Sequence, residues 1–187
     1  MVRQISIGNE SFRDLVTGRA EMVDKTRMLE QLCQDSAKVL LFPRPRRFGK
    51  TVALSMIREF FSIPVPEPTG KLPDPPAREL FRGLYVDTVW EKVEPHFQRY
   101  PTLNLNFKGM RFTSSEEWWR VIAQRLSTAF EGLEPLLTHL APREQDVFQS
   151  ILDREAQRET LSDSLRLLTL WLYRATGQKV LVLIDEY

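Results

Sequence analysis

A single cysteine, Cys33, stands in the 187 residues, so no internal disulfide can form. Its neighbours have helical apolar spacing, which makes it a core thiol rather than a redox group. Charge of either sign is not in excess. Lys and Arg total 26, Asp and Glu 25, and the net charge is +1, so no global basic field points to nucleic acid. No apolar run is long enough to span a membrane, and the N-terminus has no signal-peptide core. The expected setting is the cytoplasm, with no membrane partner. What remains is ordinary globular composition, 42% hydrophobic and 27% charged, in a chain of one domain's length.

Proline is not scarce, and it is unevenly placed. Pro64, Pro66, Pro68, Pro73, Pro75 and Pro76 crowd one stretch. They forbid helix and central strand there and mark an extended surface connection. Before it, Ile5, Ile7, Phe12, Leu15 and Val16 can dock on a core. Asp24 is the expected N-cap of a helix carrying Met28, Leu29, Leu32 and Cys33. After it, Arg78–Tyr85 reads as a short helix and turn stopped by Gly83, and Val89, Trp90, Val93 and Phe97 as another. Leu103, Leu105 and Phe107 alternate with polar residues, as in a strand whose Asn104 and Asn106 face solvent. Ser114 with Glu117 forms a capping box for a helix carrying Trp118, Val121, Ile122, Ala129 and Phe130. Adjacent Trp118 and Trp119 face different directions, one into the core and one beside it. Pro142 suits a helix's first turn. Thr160 with Asp163 is expected to cap a last helix ending at Gly177.

The chemistry concentrates in two places. Val39–Phe42 is a short apolar run, and Val52–Phe61 has helical spacing. Between them lies Pro43-Arg44-Pro45-Arg46-Arg47-Phe48-Gly49-Lys50-Thr51. Strand, tight loop, Gly-Lys-Thr and helix make the context of a phosphate-binding loop. Loop and first-turn N–H groups, Val52 among them, face phosphate oxygens, and the helix dipole favours the anion. Gly49 permits close approach, Lys50 reaches the β- and γ-phosphates, and Thr51 offers a hydroxyl to Mg²⁺. The general pattern has glycine where Arg44 stands. At the far end, Val180–Ile184 reads as a strand buried on both faces, closed by Asp185-Glu186. That acidic pair has the form of a Walker B motif; the plainer alternative is a charged loop after a core strand.

Arg44-Pro45-Arg46-Arg47-Phe48-Gly49-Lys50-Thr51 resembles the "RPRRFGK(S/T)" loop of the predicted AAA-ATPase-like family, in which the first glycine is also usually missing. Met22-Val23-Asp24-Lys25-Thr26 resembles its "YVDKT" box, Leu80–Val86 its "LFxGLxI" segment, and Leu183–Tyr187 its "LIDEYD" strand end. The resemblance implies an α/β fold: a P-loop NTPase three-layer parallel sheet with flanking helices, incomplete at its C-terminus. The expected strands here are Lys38–Phe42, Thr102–Phe107 and Lys179–Ile184. Residues 1–187 form the N-terminal part of that domain: 1–37 with the VDKT box, 38–61 the phosphate-loop unit, 62–100 the proline-rich connection and short helices, and 101–187 the remainder through Walker B. Further strands, a sensor residue, an arginine finger and a nuclease-like C-terminal partner domain would lie beyond Tyr187.

The resemblance also implies the cofactors ATP and Mg²⁺. Arg44, Pro45, Arg46, Arg47, Phe48, Gly49, Lys50, Thr51 and Val52 would meet the nucleotide's phosphates. Val23 and Asp24 would lie near the adenine, with an ordinary capped core helix as the alternative. Thr51 and Asp185 would hold Mg²⁺, and Glu186 would orient the attacking water. Two other readings stay open: a slow or non-hydrolysing nucleotide switch, and a nucleic-acid binder using Arg44, Arg46 and Arg47.

Overall fold

The computed structural model describes residues 8–43, 45, 48–64, 74, 76–134 and 140–185. The chain divides into two compact units, residues 1–100 and 101–187. Among the described residues, no helix is long and apolar enough to cross a membrane.

The first unit is helical. It contains α1 (Phe12–Thr17), α2 (Arg27–Gln34), α3 (Lys50–Phe61), a 3-10 turn over Ala77–Phe81, α4 (Tyr85–Thr88), α5 (Trp90–Val93) and a second 3-10 turn over Glu94–His96. Ser11 starts α1, its Oγ accepting from Asp14 N. Phe12 N donates to Ser55 Oγ at 3.1 Å, and the Arg13 guanidinium grips both Glu59 oxygens, so α1 is bound to α3 by polar contacts as well as packing. Beneath lies an aromatic core. Phe60 and Phe81 are fully buried and edge-on to one another, and Phe12 stacks on Phe81. Arg78 covers the Trp90 ring at 3.7 Å while pairing with Asp87.

The proline-rich connection leaves from the end of α3, and the chain later returns there. Gln98 N and Tyr100 N donate to Phe60 O and Phe61 O, and Ile63 N donates to Tyr100 O at 3.0 Å. Most of the proline stretch itself lies outside the described residues.

Two expectations fail in this unit. Lys38–Phe42 forms no strand; Val39 is 84% exposed and Leu41 64%. An apolar run becomes a strand only when a neighbour completes its hydrogen-bond ladder, and among the described residues the ladder pairs two other segments. Asp24 does not cap α2. Thr26 is the N-cap residue, and Asp24 instead folds back two residues onto Thr26 N and Oγ1. This is the local turn that Asp side chains favour over helix.

The second unit contains β1 (Thr102–Asn106), α6 (Ser115–Phe130), α7 (Pro142–Leu152), α8 (Arg158–Thr176) and β2 (Leu181–Asp185). The strands are parallel, with Leu103 opposite Val182 and Asn106 opposite Asp185. A chain entering β2 parallel to β1 needs a long crossover, and α6 to α8 supply it. Leu103 joins a core with Phe130, Phe148, Ile151, Leu168 and Trp171, Leu105 is also buried, and Asn104 is exposed as its alternation requires. Ser114 accepts from Glu117 N, but the Glu117 carboxylate reaches Thr113 rather than closing a box on Ser114. Pro142 occupies the first position of α7. Gly177, at φ +66°, ends α8 in the left-handed conformation.

Three readings need correction here. On α6 the inward face is Trp119, Ile122, Ala123, Leu126 and Phe130, so Trp119 packs on the core and Trp118 is the flanking ring. Thr160 lies inside α8, which begins at Arg158; Asp163 pairs with Arg166 one turn on. Finally, β2 is covered on one face. Leu183 and Asp185 are buried, but Val182 and Ile184 are 39% and 45% exposed.

Candidate functional site

Gly49 is the residue on which α3 starts. Its φ of +68° and ψ of +39° are left-handed, a conformation glycine adopts without steric cost. Among the described residues no side chain caps the helix. Ala53 N is bonded to Gly49 O, so the N–H groups of Lys50, Thr51 and Val52 precede the first intrahelical bond. A twelve-residue helix with its N-terminal amides uncapped presents partial positive charge. Lys50, Thr51 and Val52 are half-buried, Pro45 is exposed, and Phe48 is 61% exposed. Arg44, Arg46 and Arg47 lie outside the described residues.

The Val23–Thr26 box reaches the same loop by a residue that the motif reading left without a role. Lys25 Nζ donates to Phe48 O at 2.6 Å. A Cβ added to Gly49 would stand 3.0 Å from that ammonium. The flanking residues face elsewhere. Asp24 Oδ2 accepts from Tyr85 N at 2.7 Å, and the buried Thr26 hydroxyl accepts from Val86 N at 3.0 Å. Both Asp24 oxygens therefore serve protein donors, and Val23 is exposed. Burial pushes the Asp24 carboxyl up, but hydrogen bonds from Tyr85 N, Thr26 N and the Thr26 hydroxyl together hold it below its ordinary value. Beside this bracket, Glu30 accepts from Tyr85 Oη and Lys92 Nζ, which lowers its carboxyl and raises the tyrosine. Cys33 is half-buried rather than in the core; burial, with Glu30 nearby, pushes its thiol up to about 11, as suits an inert cysteine.

In the second unit Asp185 closes β2. Its carbonyl accepts from Phe107 N at 3.0 Å, and the residue is 6% exposed. Among the described residues no donor is bonded to its carboxylate. A carboxylate oxygen is a ligand of the kind that hard cations take. No group of three or more His, Cys, Asp or Glu side chains capable of holding a metal occurs among the described residues. A magnesium site completed by phosphates and water needs no such cluster. Glu186 lies outside the described residues.

A family model described as "Predicted AAA-ATPase" matches residues 6–187. A curated protein of Azotobacter chroococcum mcd 1, described as an uncharacterized protein in the vnfD 5′ region, is 28% identical over 186 residues. The alignment covers 99% of this chain and 29% of that relative. No solved structure matches the chain.

Proposed function

Because the chain belongs to the predicted AAA-ATPase family, we propose that it is an ATP-binding module, and that Mg²⁺-dependent hydrolysis of the γ-phosphate is coupled to movement of a partner or C-terminal domain. The observation that carries the reading is the start of α3: Gly49 left-handed, Lys50 and Thr51 next, and, among the described residues, no side chain capping the first-turn amides. Those amides and the Lys50 ammonium bind phosphate oxygens. Gly49 keeps the approach open. Arg44, Arg46 and Arg47 add charge for the same anion.

Thr51 in the first unit and Asp185 in the second each offer an oxygen of the kind Mg²⁺ accepts, and these two residues are the proposed metal ligands. An ion held there would offset charge on the nucleotide's phosphates. Glu186, next along from Asp185, takes the proton of the attacking water. The proposed fold is the three-layer P-loop sheet, of which β1 and β2 are part.

A switch is the second reading, favoured by one observation. Asp24 and Thr26 hold the start of α4 while Lys25, between them, holds the loop. Loop and helix are joined through three consecutive residues, so a nucleotide-dependent loop position has a route to α4.

Calorimetry with ATP tests the function. Lys50→Ala should weaken binding tenfold or more, since bonds from an ammonium to phosphate are charge-assisted. Unchanged affinity in a folded Lys50→Ala protein refutes the phosphate-loop assignment.

A further inference from the structure

We infer that Lys25 is a positioning residue for the phosphate loop: by holding the Phe48 carbonyl it turns the Gly49 N–H toward the phosphate side. The inference rests on the function proposed above and adds a residue to it.

The Lys25–Phe48 bond, at 2.6 Å, is short for an N–H···O pair and is charge-assisted. A trans peptide is planar, so its C=O and N–H point in opposite directions. Fixing Phe48 O on one side therefore fixes Gly49 N–H on the other. That amide directly precedes the uncapped amides of α3. Glycine at this position gains freedom of φ but leaves the preceding peptide free to rotate. An external tether restores the lost definition, so less ordering remains when an anion binds.

The tether is itself anchored. Thr26 is fully buried, and its hydroxyl bonds to both Asp24 and Val86 N. Asp24 is bonded to Tyr85 N. The lysine backbone thus sits between two fixed neighbours. A nearby consequence concerns Gly49, where alanine would both adopt φ +68° and press its Cβ on the Lys25 ammonium.

The test compares the parent, Lys25→Met, Lys25→Arg and Lys50→Ala for affinity to ATP and to pyrophosphate. Thermal midpoints and the amide shift of ¹⁵N-labelled Gly49 are measured alongside. Lys25→Met should weaken both ligands by about tenfold, the scale of one hydrogen bond to a charged group. The Gly49 resonance should move in the ligand-free protein while the midpoint stays near the parent's. Lys25→Arg should recover most of the affinity. Parent-like binding by Lys25→Met, with Lys50→Ala impaired, overturns the tether and leaves the phosphate loop standing. Equal losses in the Met and Arg variants, tracking a fall in midpoint, assign Lys25 to folding and also overturn it. If Lys25→Met does not fold, Lys25→Arg with a parent-like Gly49 shift but lost affinity is the overturning result, and recovered affinity the supporting one. A parent that binds neither ligand removes the function and this inference together.

Discussion

Thr26 shows what one hydroxyl does when it is both donor and acceptor. It is fully buried, gives its proton to Asp24, and accepts from the Val86 amide. Valine matches its shape but leaves that amide without an acceptor. Thr26→Val should destabilise by about 1–3 kcal/mol in urea unfolding, the cost of a buried unpaired donor. Asp24 adds a pH dependence. Its carboxyl lies below the ordinary 3.8 in the folded state. A lowered carboxyl contributes stability above its unfolded value, and that contribution disappears as pH falls through the folded one. Asp24→Asn should therefore flatten the stability curve below about pH 4, read as urea midpoints through that range. The sequence placed Asp24 correctly at the entrance to α2 but gave it the wrong task. An aspartate two residues before a helix satisfies either a cap or a local turn, and Tyr85, 61 positions on, decided between them.

Among the elements, α6, α7 and α8 meet at one aromatic side chain. Phe148 on α7 is fully buried, with ring centroids 5.2 Å from Phe130 on α6 and 6.1 Å from Trp171 on α8. Phe148→Ala should cost about 3–5 kcal/mol in chemical denaturation, because three helices cannot all close on the vacated volume. Elements whose signals are local were legible: Ser114 starting α6, Pro142 starting α7, Gly177 ending α8, and the Leu103–Leu105 alternation of β1. Lys38–Phe42 was not, since its composition suits a strand and composition says nothing of a ladder partner. Trp118 and Trp119 were separable in principle. The spacing of Trp119 to Ile122, Ala123, Leu126 and Phe130 follows one helical face better than the spacing from Trp118 does.

Across the whole molecule, the parts of the candidate site with contiguous motifs were visible in the sequence: Gly49-Lys50-Thr51 and Asp185-Glu186. Lys25 was overlooked because its partner, Phe48, lies 23 residues away. The Asp185-Glu186 pair separates catalysis from binding. In a protein extended past Tyr187, Glu186→Gln should bind Mg²⁺·ATP as the parent does and hydrolyse it about 10²-fold more slowly, as loss of a general base requires. Asp185→Asn should instead weaken the Mg²⁺-dependent part of binding. Equal turnover by parent and Glu186→Gln removes Glu186 as the base. The outer face of β2 carries a different expectation. Val182 and Ile184 are exposed side by side in the alternation of one strand, and apolar patches of this kind promote association. Replacing both with threonine keeps strand preference. It should reduce concentration-dependent sedimentation without lowering the unfolding midpoint.

The return of the chain to α3 has a practical meaning. Ile63 and Tyr100 are joined by backbone bonding, and the chain between them makes a detour that takes in the 3-10 turns, α4 and α5 before it returns. Lengthening such a detour raises its closure cost by only about 0.6 kcal/mol per doubling. A reporter peptide of about ten glycine and serine residues inserted between Pro68 and Thr69 should therefore cost less than about 1 kcal/mol in urea unfolding. This proline-marked detour is the place in the first unit to attach a label while leaving Lys25, Phe48 and Gly49 as they are.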